Sequence, residues 1–207
     1  MKNIAVFVSG GGTNLGALIK AQNDGIIKNG RITLVVSSSE KAYALKRAED
    51  ANIETAVVSR KNYGGRGEFA KALSEAVNKQ KIDLIVLAGF MYVLPEDFCR
   101  EFGNRIINVH PSLIPAFCGD GFYGIHVHEK VLEYGVKVTG ATVHFVNEIT
   151  DGGAIILQKA VEVSDGDTPE SLQKKVMQHC EWQILPRAVE LFCAGRLEIR
   201  DRRVIIK

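Results

Sequence analysis

No run of about 18 apolar residues occurs in the 207-residue sequence, so no segment is long enough to cross a bilayer as a helix, and no membrane partner is expected. A secretory leader is not expected either. Lys2 precedes the apolar run Ile4-Ala5-Val6-Phe7-Val8, but Ser9-Gly10-Gly11-Gly12 follows at once and the run is too short. Cysteine is sparse: Cys99, Cys118, Cys180 and Cys193 form no Cys-x-x-Cys pair and no zinc spacing. That excludes a zinc module or a short disulfide framework and predicts reduced thiols in a soluble, cytoplasmic protein. An excess of charge of one sign is also missing. The 26 Lys and Arg against 24 Asp and Glu leave a net +2, too small to make nucleic acid a partner without a clustered basic face. Five basic residues between Arg196 and Lys207 are read as a solvated terminal hairpin. No repeat, low-complexity stretch or linker divides the chain, and one core stays feasible up to roughly 250 residues. A single domain over residues 1–207 is expected.

The elements that are present alternate. Residues 3–8 form a β-branched and aromatic run without polar alternation, as a strand buried on both faces requires. Further strands are expected over Ile32 to Val36, Glu54 to Val58, Asp83 to Ala88 and through Ile106 and Ile107. Helices open at Leu15 and Glu96, cover Ala42 to Ala51 and Glu68 to Asn78, and run unbroken from Glu170 to about Phe192. The β runs Val138 to Val146 and Ala154 to Val161 read as antiparallel neighbours. The fold expected is therefore α/β: a Rossmann-like, mostly parallel sheet of order 3-2-1-4-5, extended by antiparallel strands, with helices on both faces. Its switch point lies between strands one and four, where open α/β sheets bind ligands.

Three segments converge on that switch point. Ser9-Gly10-Gly11-Gly12-Thr13-Asn14 joins a strand to a helix that Thr13 or Asn14 can cap, an arrangement that binds anions through unpaired helix N–H groups. Leu15 stands where the third glycine of a dinucleotide loop belongs, and no Lys-Ser or Lys-Thr follows as in a P-loop, so a phosphomonoester fits best. A plain chain-reversing turn is the alternative. Gly89 to Pro95 is an apolar loop that either packs down or lines a pocket for a flat ring. Asn108-Val109-His110 ends the fifth strand, and a spacing of two puts both polar side chains on one face, suited to a common reacting atom. A hydrogen-bonded loop histidine is the plainer reading.

Other residues are more ambiguous. Arg66 lies in a basic loop and is either solvated or within reach of an anionic ligand. Ala116 to Gly124 has the composition of a flexible lid. Cys118 has no base adjacent in sequence, and His126-x-His128 has no acidic partner at a familiar spacing, so no metal is expected. Asp151 either makes a tight turn with Gly152 or returns to the cleft to pair with His110.

Taken together, the pieces Ser9 to Leu15, Leu87-Ala88-Gly89-Phe90-Met91, Asn108-Val109-His110-Pro111-Ser112-Leu113, Val143-His144-Phe145-Val146 and Asp151-Gly152-Gly153 resemble the phosphoribosylglycinamide formyltransferase family. The resemblance spans nearly the whole chain. It implies formyl transfer from 10-formyltetrahydrofolate to the amine of glycinamide ribonucleotide in de novo purine biosynthesis, with small molecules as partners and the oligomeric state open. It implies that Gly12, Thr13 and Asn14 hold the ribonucleotide phosphate and that Glu181 contacts the same substrate. Arg66, Met91, Tyr92, Val93, Leu94 and Asn108 would contact the folate. His110 and Asp151 match the catalytic acid and its partner. Asp151 is then expected to orient His110 and favour its charged form. The sequence departs from the family at Tyr92, often Arg, at Ala154, often Pro, and in a longer Phe117 to Gly124 loop.

Overall fold

A computed structural model describes all 207 residues. The first strand, β1 (Lys2–Val8), explains its own sequence: Ile4, Val6 and Val8 enter one hydrophobic cluster, while Ala5 and Phe7 enter another on the opposite face. Every position from Ile4 to Val8 is interior, so polar alternation is absent there. The chain continues through α1 (Thr13–Asn23), β2 (Gly30–Ser37), α2 (Tyr43–Asp50), β3 (Glu54–Val57), α3 (Arg66–Asn78), β4 (Leu84–Leu87), α4 (Glu96–Glu101) and β5 (Ile106–His110). It then runs through α5 (Ile125–Tyr134), β6 (Val138–Phe145), β7 (Ile155–Glu162), α6 (Pro169–Val176), α7 (Trp182–Cys193), β8 (Leu197–Arg200) and β9 (Arg203–Ile206).

The strands form one nine-stranded sheet of order β3-β2-β1-β4-β5-β6-β7-β9-β8. The first five are parallel, β6 and β7 add antiparallel, and the terminal hairpin joins through a parallel β7–β9 pairing. The expected order 3-2-1-4-5 and its antiparallel extension are both observed. Buried residues of α1, α2, α5, α6 and α7 cover one face, and those of α3 and α4 the other.

Three local readings change. Gly12, not Thr13 or Asn14, caps α1, with a left-handed backbone (φ 67°) and no side-chain cap, which frees the Asn14 amide for the cleft. The helix α5 was not expected, although Val127, His128 and Val131 form its buried face and Gly135 (φ 77°) ends it in the left-handed conformation that favours glycine. The helix expected from Glu170 to Phe192 widens into a π turn at Met177–Glu181, where the Trp182 N–H reaches back to the Met177 carbonyl. Pro186 lies four residues after Trp182, offers no N–H to its carbonyl and crowds it. The extra residue in the turn leaves Cys180 and Glu181 both buried.

Candidate active site

Loops at the carboxyl ends of β1, β4 and β5 meet at the switch point around a cavity of about 630 Å³. Ser9 ties the β1 loop to the β4 loop and to the end of β2: its Oγ accepts from the Met91 N–H at 2.8 Å and from the Ser38 hydroxyl at 2.7 Å. Thr13 and Asn14 line one part of the cavity, with N–H groups that have no partner within the first turn of α1. The Asn14 amide donates to Glu181 Oε2 at 2.6 Å, and its own Oδ1 is buried without a partner. Burial pushes the Glu181 carboxyl above its ordinary pKa, and the Asn14 hydrogen bond opposes this. Gly12 does not line the cavity. A Cβ there would fall 2.6 Å from the Ala44 Cβ, so this glycine is needed for its left-handed backbone and for the close approach of α2.

The apolar loop after β4 does both things its composition allows. Phe90 and Tyr92 pack down, with Phe90 edge-on to Phe7 at 5.4 Å and Tyr92 against Phe69 at 6.1 Å. Met91 and Val93 stay exposed, and Met91 to Leu94 all line the cavity. Arg66 starts α3, is exposed, and is not among the lining residues. The structure therefore does not bring it to the cleft.

The antiparallel register of β5 on β6 sets the centre of the site. It places Asn108 opposite His144 and His110 opposite Thr142. Asn108 Nδ2 lies 3.2 Å from His144 Nε2, while His144 Nδ1 lies 2.8 Å from the Phe145 carbonyl. A carbonyl only accepts, so Nδ1 carries the hydrogen and Nε2 is left to accept from the Asn108 amide. His144 thereby orients Asn108, a task not read from the sequence although its motif was noticed.

Asp151 reaches the same point from the loop between β6 and β7. Its backbone is left-handed (φ 54°), uncommon for a residue other than glycine, and Gly153 beneath it leaves no room for a Cβ, which would meet the Phe145 carbonyl at 1.8 Å. Asp151 Oδ2 lies 3.5 Å from His110 Nδ1 and accepts from the Gly119 N–H at 2.9 Å, while Oδ1 lies 3.5 Å from His144 Nε2. Burial works against this carboxylate, but the two histidine rings beside it and the Gly119 N–H hold its pKa below the ordinary value.

His110 Nε2 lies 2.9 Å from the Phe117 carbonyl, which fixes the hydrogen on Nε2 and points Nδ1 at Asp151. Burial is the largest influence on this ring and lowers its pKa; Asp151 and the Phe117 carbonyl raise it without prevailing. The expected preference for the charged form is thus outweighed by desolvation, and the resting ring is neutral. The Phe117 to Gly124 segment is not a detached lid. Phe117 packs edge-on against Phe122 and Tyr134, and its loop supplies hydrogen-bond partners to both His110 and Asp151. Cys118 sits in this loop with its thiol pKa raised by burial and by Asp151, the wrong direction for a nucleophile.

The formyl transferase family matches residues 2–189 of the chain. The chain belongs to this family. It is 40% identical over 201 residues to the phosphoribosylglycinamide formyltransferase of Haemophilus influenzae, covering 97% of this chain and 92% of that protein. It is 42% identical over 198 residues to the chicken trifunctional purine biosynthetic protein adenosine-3, covering 96% of this chain but 19% of that protein. Among solved structures, the glycinamide ribonucleotide transformylase 1 of Symbiobacterium toebii superposes with a TM-score of 0.93 at 42% identity, over 100% of this chain and 94% of that one. The nine-stranded sheet described above is thus the scaffold of this family.

Proposed function

We propose that residues 1–207 form a single cytoplasmic formyltransferase domain that moves a formyl group from 10-formyltetrahydrofolate to the amine of N1-(5-phospho-D-ribosyl)glycinamide, a step of purine biosynthesis. One observation carries this reading: Asn108, His110 and Asp151 meet in a cavity lined also by the first turn of an anion-binding helix and by the apolar Met91 to Leu94 loop. The helix start suits a phosphate, and the loop suits a pterin ring. Thr13 and Asn14 would hold the phosphate, with Gly12 shaping the turn behind them, and Glu181 with Asn14 would bind the ribose. Met91, Tyr92, Val93 and Leu94 would receive the folate, with Arg66 reaching it only if its loop closes inward.

The chemistry follows from the resting protonation states. The glycinamide nitrogen attacks the formyl carbon, forming a C–N bond and placing negative charge on the formyl oxygen. The Asn108 amide, held by His144, donates to that oxygen, a contribution typically of about 3 kcal/mol. Neutral His110 takes the proton released by the amine at Nδ1, directly or through one water, and the resulting imidazolium is stabilised by Asp151. The same proton then passes to the folate nitrogen as the old C–N bond breaks. His110 is therefore first a base and then the acid, with Nε2 held by Phe117 throughout.

A direct assay follows the folate absorbance with and without glycinamide ribonucleotide. Loss of the formyl folate only when the ribonucleotide is present supports transfer; loss without it would make the protein a hydrolase and overturn the reading.

A further inference from the structure

The imidazole of His128 has no task in the chemistry above, yet it lines the same cavity. It projects from α5, is 0% exposed, and neither ring nitrogen has a hydrogen-bond partner. Two unpaired polar atoms on one buried ring are a cost that folding alone gives no reason to keep, since an apolar ring of similar size would avoid it. Burial, reinforced by the nearby His110, pushes its pKa down to about 4, so the ring is neutral and carries one donor and one acceptor nitrogen. Its neighbours say which ligand group it faces. His110 is close enough for charge on one ring to oppose charge on the other, and α5 packs against α6, which leads into the turn that carries Glu181.

We propose that His128 is a substrate-contacting residue of the formyl transfer reaction, whose unprotonated ring nitrogen accepts a hydrogen bond from the glycinamide amine and turns the nitrogen lone pair towards the formyl carbon. This rests on the ribonucleotide reading given above. The amine is the substrate group that must come to rest beside His110, and it attacks only as a free base. A neutral acceptor in a water-poor pocket favours that form, whereas a carboxylate at the same place would favour the ammonium. Contact needs a small shift of the ring or of the Phe117 to Gly124 loop as the substrate enters, and satisfying unpaired nitrogen favours that shift.

The test compares His128→Phe, His128→Asn and His128→Gln with the wild-type protein by steady-state kinetics and thermal melting. The phenyl ring keeps the shape and removes both nitrogens; the Asn and Gln amide oxygens fall near Nδ1 and Nε2 respectively. His128→Phe should melt at or above the wild-type temperature, keep the folate KM, and lose roughly ten- to a hundredfold in kcat, the scale of one hydrogen bond to a reacting group. Either Asn or Gln should recover most of that loss. A His128→Phe protein with wild-type kcat, one whose kcat falls only as its melting temperature falls, or a loss that neither amide reduces would each overturn the proposal. Wild-type protein that fails to transfer formyl to the ribonucleotide would overturn the functional reading itself, and the role of His128 with it.

Discussion

Acid should destabilise this protein through His128, and replacing that ring should remove the effect. In the folded chain the imidazole is dry and has a pKa of about 4, whereas in the unfolded chain it returns to about 6.5. The unfolded state therefore binds the proton first as pH falls. The contribution is fully present above pH 6.5, declines between 6.5 and 4, and is level below that. At 1.36 kcal/mol per pH unit, the gap amounts to about 3 kcal/mol, a large share of the 5–15 kcal/mol typical of a whole domain. Other groups titrate in the same range: His110 acts in the same direction, while Glu181, whose pKa is raised, gains stability as pH falls through its folded value. Both are present in His128→Phe, so the difference between the two proteins reports the one ring together with its interaction with His110. Urea unfolding of each at pH 7.5 and pH 4, followed by tryptophan fluorescence and extrapolated to water, measures it. The stability of His128→Phe relative to wild type should rise by about 3 kcal/mol between the two pH values. Parallel losses in both proteins would refute the reasoning, because they would mean the ring is solvated or already paired.

Three other outcomes are expected. Asp151→Asn should fold and bind both substrates but lower kcat by about a thousandfold or more, since it removes the charge that stabilises the His110 imidazolium; single-turnover kinetics with measured substrate affinities would show it, and near-wild-type turnover would remove Asp151 from the mechanism. Gly12→Val should cost at least about 2–3 kcal/mol of stability, because φ is positive and the new Cβ meets Ala44, whereas Gly11→Ala has open space and should melt like wild type while raising the ribonucleotide KM if phosphate sits there. The acid limb of kcat, read at saturating substrates so that ionisation of the free ribonucleotide amine drops out, should lie below pH 6.5, because burial depresses the His110 pKa, and Asp151→Asn should move that limb lower still by removing the carboxylate that raises it.

Much of this architecture is legible in residue order because its causes are local. The unalternating run from Ile4 to Val8 reads as a strand buried on both sides, and the glycine turn before Thr13 as the lead into a helix. Asn108 and His110 are likewise read from their spacing on one strand. The misses have physical causes too. Helix α5 follows a glycine-rich loop that masks its start, although Gly135 marked its end. Where the added residue at Met177 to Glu181 falls depends on the core the helix packs into. Gly12 is also the place where α2 closes on the loop, a contact between residues 32 positions apart.

By itself, then, the sequence determined most element types and the identity of the polar side chains at strand ends, set by periodicity and turn chemistry within a few residues, and the sheet order through the handedness of its crossovers. Only the tertiary structure decided the state of the site. The β5–β6 register puts His144 behind Asn108, the Phe117 carbonyl fixes the His110 tautomer, and burial outweighs Asp151 in setting the charge of that ring. Desolvation and long-range pairing depend on everything that surrounds a group, so no local pattern in the chain carries them.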